Sequence, residues 1–231
     1  MKNLFVIMLI ACICKCASAS VLGIFEDTAF PAGITGNDGS AHRLEVIGNE
    51  LYAATEKGIY KYSEVTNSWE CWVLEDVNVI DFKAKGDEIV AVIAPQERQG
   101  YRAADVAAIV RFNRNLPELE NIMDAGMGYT YSGNLLSYVM RLAQHPSKPQ
   151  VLMVAAYPGI WVSDDFGTSW SLKFDWLFTY NQHQFLGWHP LKADVSFYTS
   201  ESYMFASQIL RSGDNGNNRD IINPDPLGDN S

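Results

Sequence analysis

Basic residues and cysteines are both scarce in this sequence. Lys and Arg number 17 against 27 Asp and Glu, for a net charge of −10. Binding to nucleic acid needs a basic surface that displaces counterions from phosphates, so the composition argues against that class of partner. Of the four Cys, three (Cys12, Cys14 and Cys16) lie within residues 1–20. Beyond them only Cys71 remains. One Cys closes no internal disulfide, so packing must hold the fold. Between Glu70 and Trp72, in a strand-like run, Cys71 reads as a buried structural thiol rather than a nucleophile. No His, Cys and Asp cluster has metal-site spacing. No G-x-S-x-G sequence is present to mark an esterase-type nucleophile. No cofactor is implied.

Long hydrophobic runs are also lacking. The longest, Leu4 to Cys14, is too short to span a bilayer. It follows Lys2 and precedes Ala17-Ser18-Ala19, a small-residue cleavage site, so residues 1–19 read as an export signal rather than part of the fold. Leu9-Ile10-Ala11-Cys12 gives a second reading, a bacterial lipobox with residues 1–11 removed and Cys12 lipidated. Both readings export the chain, as a periplasmic, secreted or outer-membrane lipoprotein of a bacterium. Any membrane attachment would run through a lipid at Cys12.

What the sequence has in abundance is strand-and-turn grammar. Runs such as DFKAKGDEIVAVIA, AAIVRFN and QVLMVAAYPGIWVS are crowded with Val, Ile, Tyr and Phe and broken by Gly, Asn, Asp and Pro. The stretch LLSYVMRLAQ at 135–144 fits either a helix or a loop leading into a strand. The runs also repeat. KGIYKYSEVTNSWE and PGIWVSDDFGTSWS align without gaps, each with a Trp nine residues after its Gly-Ile-aromatic step (Trp69 and Trp170). His145-Pro146 and His189-Pro190 stand 44 apart, and each precedes a short Lys-bearing turn and an apolar strand. Ser212, Asp214 and Gly216 repeat Ser163, Asp165 and Gly167 at a spacing of 49. A period of roughly 40–50 residues holding four short strands is that of a β-propeller blade. The expected fold is all-β, a propeller domain over 20–231 with about four to five blades present, near 41–78, 79–124, 139–176 and 183–222.

The stretch Ser163-x-Asp165-x-Gly167-x-Ser169-Trp170 resembles the Asp-box (BNR) repeat, S-x-D-x-G-x-[ST]-W. It is carried by sialidases, xyloglucanase-type glycosidases, sortilin-type receptors and photosystem-assembly-like propellers. The match at 212–219 is partial, with Asn218 in place of the hydroxyl and Arg219 in place of Trp. The 61–69 unit keeps only Ser68-Trp69. The resemblance implies that these residues are architectural. Asp165 would accept bonds from turn N–H groups, Gly167 would take a conformation other residues resist, and Trp170 would pack between blades. It also implies that the box lies away from the ligand-binding face. Four units are few for this superfamily, so the chain is expected to be either the front part of a longer propeller or an unusually small one.

Propeller geometry, rather than a catalytic motif, selects the candidate site. Links between blades and turns between second and third strands gather at one end of the axis. They supply the binding candidates Glu97, Arg98, Arg102, Tyr129, Tyr131, Tyr157, Tyr180, His183, Glu201 and Tyr203. Aromatic faces among charged and amide groups suit glycan or protein recognition. Hydrolysis of a glycoside needs two facing carboxylates. Glu97, Asp105 and Glu201 are available for that, but nothing in the sequence pairs them. The arginine motif of sialidases is missing, the nearest residue being Arg43. His183 and His189 read as turn residues. The reading favoured is an exported, non-catalytic module that binds a glycan or protein. The rivals are a glycoside hydrolase of sialidase or xyloglucanase type and a structural or assembly protein without a small ligand.

Overall fold

The computed structural model describes residues 41–94, 107–127, 129–131, 134–136, 139, 141–175, 186–192, 194–200 and 208–222. Among them there is no helix. Four four-stranded antiparallel sheets follow one another along the chain. The first holds β1 (Arg43–Ile47), β2 (Glu50–Thr55), β3 (Gly58–Ser63) and β4 (Ser68–Val73). The second holds β5 (Asn78–Lys85), β6 (Glu88–Ala94), β7 (Ala108–Asn113) and β8 (Leu116–Asn121). A two-stranded hairpin, β9 (Tyr129–Tyr131) and β10 (Asn134–Leu136), comes next. The third sheet is β11 (Arg141–Gln144), β12 (Leu152–Ala156), β13 (Gly159–Ser163) and β14 (Ser171–Asp175). The fourth is β15 (Leu186–Trp188), β16 (Ser196–Ser200), β17 (Gln208–Ser212) and β18 (Asp220–Ile221).

The four sheets are the blades of a β-propeller. Each is a meander in which neighbours in sequence are neighbours in space. The first strands β1, β5, β11 and β15 touch in succession, so they lie innermost, and the fourth strands form the outer edges. The ambiguous stretch at 135–144 resolves as the end of β10, a link and β11, without a helix at its described positions. The gapless sequence repeat has a structural counterpart. Ladder register shifts between Ile59 and Tyr60 and between Ile160 and Trp161, the same step of both copies. A bulge there re-aims the outer strand and increases its twist.

Alternation along the strands puts apolar residues on both faces of the inner three strands, and stacking buries them in three seams. Tyr52, Ala54 and Ile59 meet Val79, Phe82 and Ile89 between the first two blades. Val90, Val92 and Ile109 meet Leu142, Leu152 and Trp161 between the next two. Met153, Ile160 and Phe174 meet Leu186, Tyr198 and Leu210 between the last two. Removing this area from water is the main stabilising term.

The inner strands are also tied by charge. Asp81 is wholly buried on β5. Its carboxylate accepts the N–H of Phe82 at 2.9 Å and, across the seam, that of Leu142 on β11 at 3.0 Å. Arg43 Nε of β1 stands 3.8 Å from the same carboxylate and Lys83 Nζ 3.9 Å. Lys83 also pairs with Glu45 of β1. One buried acid thus joins the inner strands of three blades. Cys71 departs from expectation. It is exposed on β4 rather than buried, because β4 is an outer-edge strand whose far side faces solvent. Partial burial and then the nearby Glu75 and Asp76 carboxylates push its thiol pKa up, the opposite of nucleophile activation.

Candidate functional site

Strand order fixes which connections share an end of the propeller. In an antiparallel meander the first-to-second and third-to-fourth turns lie at one end. The second-to-third turns and the links between sheets lie at the other. The strand ends Ala94, Asn121, Asp175 and Ser200, from which the longer connections depart, therefore lie at one end. Contacts at the first blade show the arrangement. Lys57, in the β2–β3 turn, pairs with Asp76 of the β4–β5 link at 3.2 Å and accepts its N–H at 3.1 Å. Gly58, with φ of 125°, is pressed so closely that a Cβ would stand 2.7 Å from the Leu74 carbonyl oxygen.

Tyr157 stands in the β12–β13 turn at this end, partly buried. Tyr129 and Tyr131 bound β9, opposite Leu136 and Asn134 of β10. Glu97, Arg98, Arg102, Tyr180, His183, Glu201 and Tyr203 lie outside the described residues, as does Asp105. Among the described residues no group of three or more His, Cys, Asp or Glu side chains is arranged to hold a metal ion.

The opposite end is described in full for the third blade. Ser163 Oγ donates to Asp165 Oδ1 at 2.8 Å and accepts the Gly167 N–H at 2.7 Å. Asp165 then accepts the Ser169 N–H at 2.8 Å and the Ser169 hydroxyl at 2.7 Å. Burial alone would push the Asp165 carboxyl up. The bonds from Ser169, Ser163 and Thr168 outweigh it and hold the group below the usual carboxylate range. Phe166 and Gly167 take φ of 56° and 87°, and the Gly167 position lies against Ile122 of the second blade. Trp170 Nε1 donates to the Ile122 carbonyl at 2.9 Å, and Arg111 Nη1 to Thr168 Oγ1 at 2.6 Å. The turn is therefore an inter-blade clamp.

The fourth blade repeats this geometry with different side chains. Ser212 Oγ donates to Asp214 at 2.9 Å and accepts the Gly216 N–H at 2.8 Å. Asn215 and Gly216 have φ of 58° and 85°. Asn218 supplies both its N–H (2.8 Å) and its side-chain amide (2.6 Å) to Asp214. Arg219 lies over the Phe174 ring of the preceding blade, 5.1 Å from its centre, where the third blade has an indole. The Asn218 bonds, backbone before side chain, lower the Asp214 pKa. The two His-Pro turns match as well. His145 Nδ1 accepts the N–H groups of Ser147 (3.2 Å) and Lys148 (3.1 Å), and His189 Nδ1 those of Leu191 (3.0 Å) and Lys192 (3.1 Å). His189 is thus a turn-forming residue.

Between these turns a groove of about 330 Å³ opens across the third and fourth blades. Its polar lining is Lys148, Gln150, Asp164, Lys173, Asn215 and Asn217. Sequence reasoning did not single it out. The signal present was the Lys after each His-Pro and the Asn-rich turn at 215–218, which the repeat pattern explains as architecture.

No family model matches the chain, and no curated protein matches it in sequence. Solved structures do resemble it in fold. A GH74 xyloglucanase from Xanthomonas campestris aligns over 77% of this chain and 29% of its own, at 18% identity and a TM-score of 0.53. An ancestral GH74 enzyme aligns over 80% of this chain and 25% of its own, at 13% identity and a TM-score of 0.56. The extracellular domain of a protein assigned as a one component system of B. thetaiotaomicron aligns over 84% and 23%, at 12% identity and a TM-score of 0.55. The chain spans less than a third of the length of each of these structures. At such identities the likeness establishes the propeller fold and nothing finer.

Proposed function

We propose that this chain is a propeller module of an exported protein, and that it binds a glycan or a protein without cleaving it. The binding surface we assign is the end at which Ala94, Asn121, Asp175 and Ser200 close their strands. One observation supports the reading: the sequence that follows each of these strand ends holds most of the aromatic, acidic and basic candidates. Rings that stack on apolar faces beside groups that fix orientation suit saccharide or peptide recognition. The 163–170 and 212–219 turns are read as Asp-boxes, whose role is to clamp blades. The leader at 1–19, or a lipid at Cys12, delivers the module outside the cytoplasm. A glycan array probed with the chain, followed by limited proteolysis of the complex, tests the reading. Binding that protects 95–106 and 201–207 supports it. Protection only by a protein partner would select the assembly role.

The rival reading is a glycoside hydrolase. It is favoured by the fold likeness to two GH74 proteins, one of them a xyloglucanase. It would require two of Glu97, Asp105 and Glu201 to face each other across a bond. Product release abolished by Glu97→Gln or Glu201→Gln would establish it.

A further inference from the structure

The groove between the third and fourth blades lies at the end opposite the proposed binding surface, and it has the chemistry of a site in its own right. We propose that it binds an acidic saccharide, a sugar ring bearing a carboxylate. Its volume of about 330 Å³ falls within the range of small-ligand pockets. Two ammonium groups, Lys148 and Lys173, face it against a single carboxylate, Asp164. The direct lining thus carries one more positive than negative charge, which favours an anion at the groove, while Asp194 stands behind Asn215. The amides of Gln150, Asn215 and Asn217 provide donors and acceptors for hydroxyls.

Asn215, Asn217 and Lys173 are held in place before any ligand arrives. Asn217 donates to the Asp214 carbonyl at 2.7 Å and accepts from Lys173 Nζ at 3.2 Å. Asn215 donates its side-chain amide to Asp194 at 3.1 Å from a backbone with φ of 58°. The Gln150 backbone carbonyl accepts the Phe166 N–H at 2.7 Å, which joins the His145 turn to the Ser163 turn without engaging the Gln150 side-chain amide. Such preorganisation lowers the ordering cost of binding.

A second observation comes from the seam beneath. Val151, Val162 and His145 complete the lining of the groove. Val151 and Val162 share a core with Tyr198, and the His145 ring packs on Trp188 at 4.8 Å. In that seam the Ser196 hydroxyl, the Tyr198 hydroxyl and Trp188 Nε1 are buried and have no hydrogen-bond partner among the described residues. None of the three lines the groove, so the seam supports it from behind and offers an occupant no polar contact.

The test is titration of the full chain with trigalacturonate, followed by amide NMR, with maltotriose as neutral control and acetate as the bare carboxylate. The expected result is saturable shifts at Asn215 and Asn217 with trigalacturonate only. Lys148→Ala and Lys173→Ala should each weaken binding about tenfold, the scale of one charge-assisted hydrogen bond. Asp164→Asn should tighten binding about threefold by removing a like charge, a gain that damaged folding would not produce. Equal binding of maltotriose, equal binding of acetate, or no shift with trigalacturonate would each overturn the proposal. Loop-end binding is read by protection of other segments, so its failure leaves this result standing, and the reverse also holds.

Discussion

Gly167 and Gly216 occupy equivalent turns with nearly equal φ of 87° and 85°, yet they differ in surroundings. A Cβ at Gly167 would meet Ile122 Cδ1 at 2.4 Å, whereas at Gly216 the nearest atom is Lys173 Cγ at 3.5 Å. Gly167→Ala should therefore cost backbone strain plus a clash, and Gly216→Ala only the strain of about 1–3 kcal/mol. Urea unfolding of the two variants should place Gly167→Ala clearly lower. The paired aspartates set a pH dependence. Both Asp165 and Asp214 have pKa values held below the unfolded value of about 3.9. A depressed carboxyl binds fewer protons when folded, so its contribution is complete above about pH 4 and is lost as pH falls through the folded value. Urea midpoints measured from pH 5 to pH 2 should fall more steeply for the wild type than for Asp165→Asn with Asp214→Asn. At this scale the sequence was legible where bonds are short-range, as in Ser163 to Ser169. Asn218 and Arg219 looked like departures from the repeat. In the structure Asn218 gives Asp214 the two bonds that Ser169 gives Asp165, and Arg219 covers the Phe174 ring.

The strands were legible from alternation and turn residues, and the innermost ones carry a feature that alternation hides. Asp81 sits in an apolar run, wholly buried, and satisfies two backbone N–H groups while facing Arg43 and Lys83. Asp81→Asn keeps the shape but leaves Arg43 and Lys83 facing one acid fewer, with Glu45 remaining. Breaking a buried charge cluster on one side costs about 3–5 kcal/mol when nothing compensates, and the Glu45 pairing lowers this to about 2–3 kcal/mol. Thermal unfolding should show a loss of that order, while Glu120→Gln, which breaks only the partly exposed Arg111–Glu120 pair on the outer strands, should lose under about 1 kcal/mol. The sequence could not reveal the Asp81 role because its partners come from β1 and β11, far away along the chain. Cys71 was misjudged for a related reason: which strand of a blade lies outermost depends on the whole repeat. The 135–144 stretch was ambiguous because apolar residues of a buried strand and of a helix look alike over so short a span.

At the scale of the molecule, repetition made the propeller readable. A period, a recurring turn and a recurring aromatic step all describe one blade, and stacking follows because a blade alone leaves two apolar faces in water. The site was less readable. Repeats report what blades share, and recognition depends on the connections in which they differ. Topology gathers the strand ends Ala94, Asn121, Asp175 and Ser200 at one end, where the proposed site binds without cleaving. The most direct test is to incubate the chain with xyloglucan and other labelled oligosaccharides, capture the bound fraction and weigh the recovered glycans by mass spectrometry. Retained glycan of unchanged mass, with no accumulation of shorter products, is the expected result. Shorter products that disappear with Glu97→Gln or Glu201→Gln would contradict it and make the chain a glycoside hydrolase.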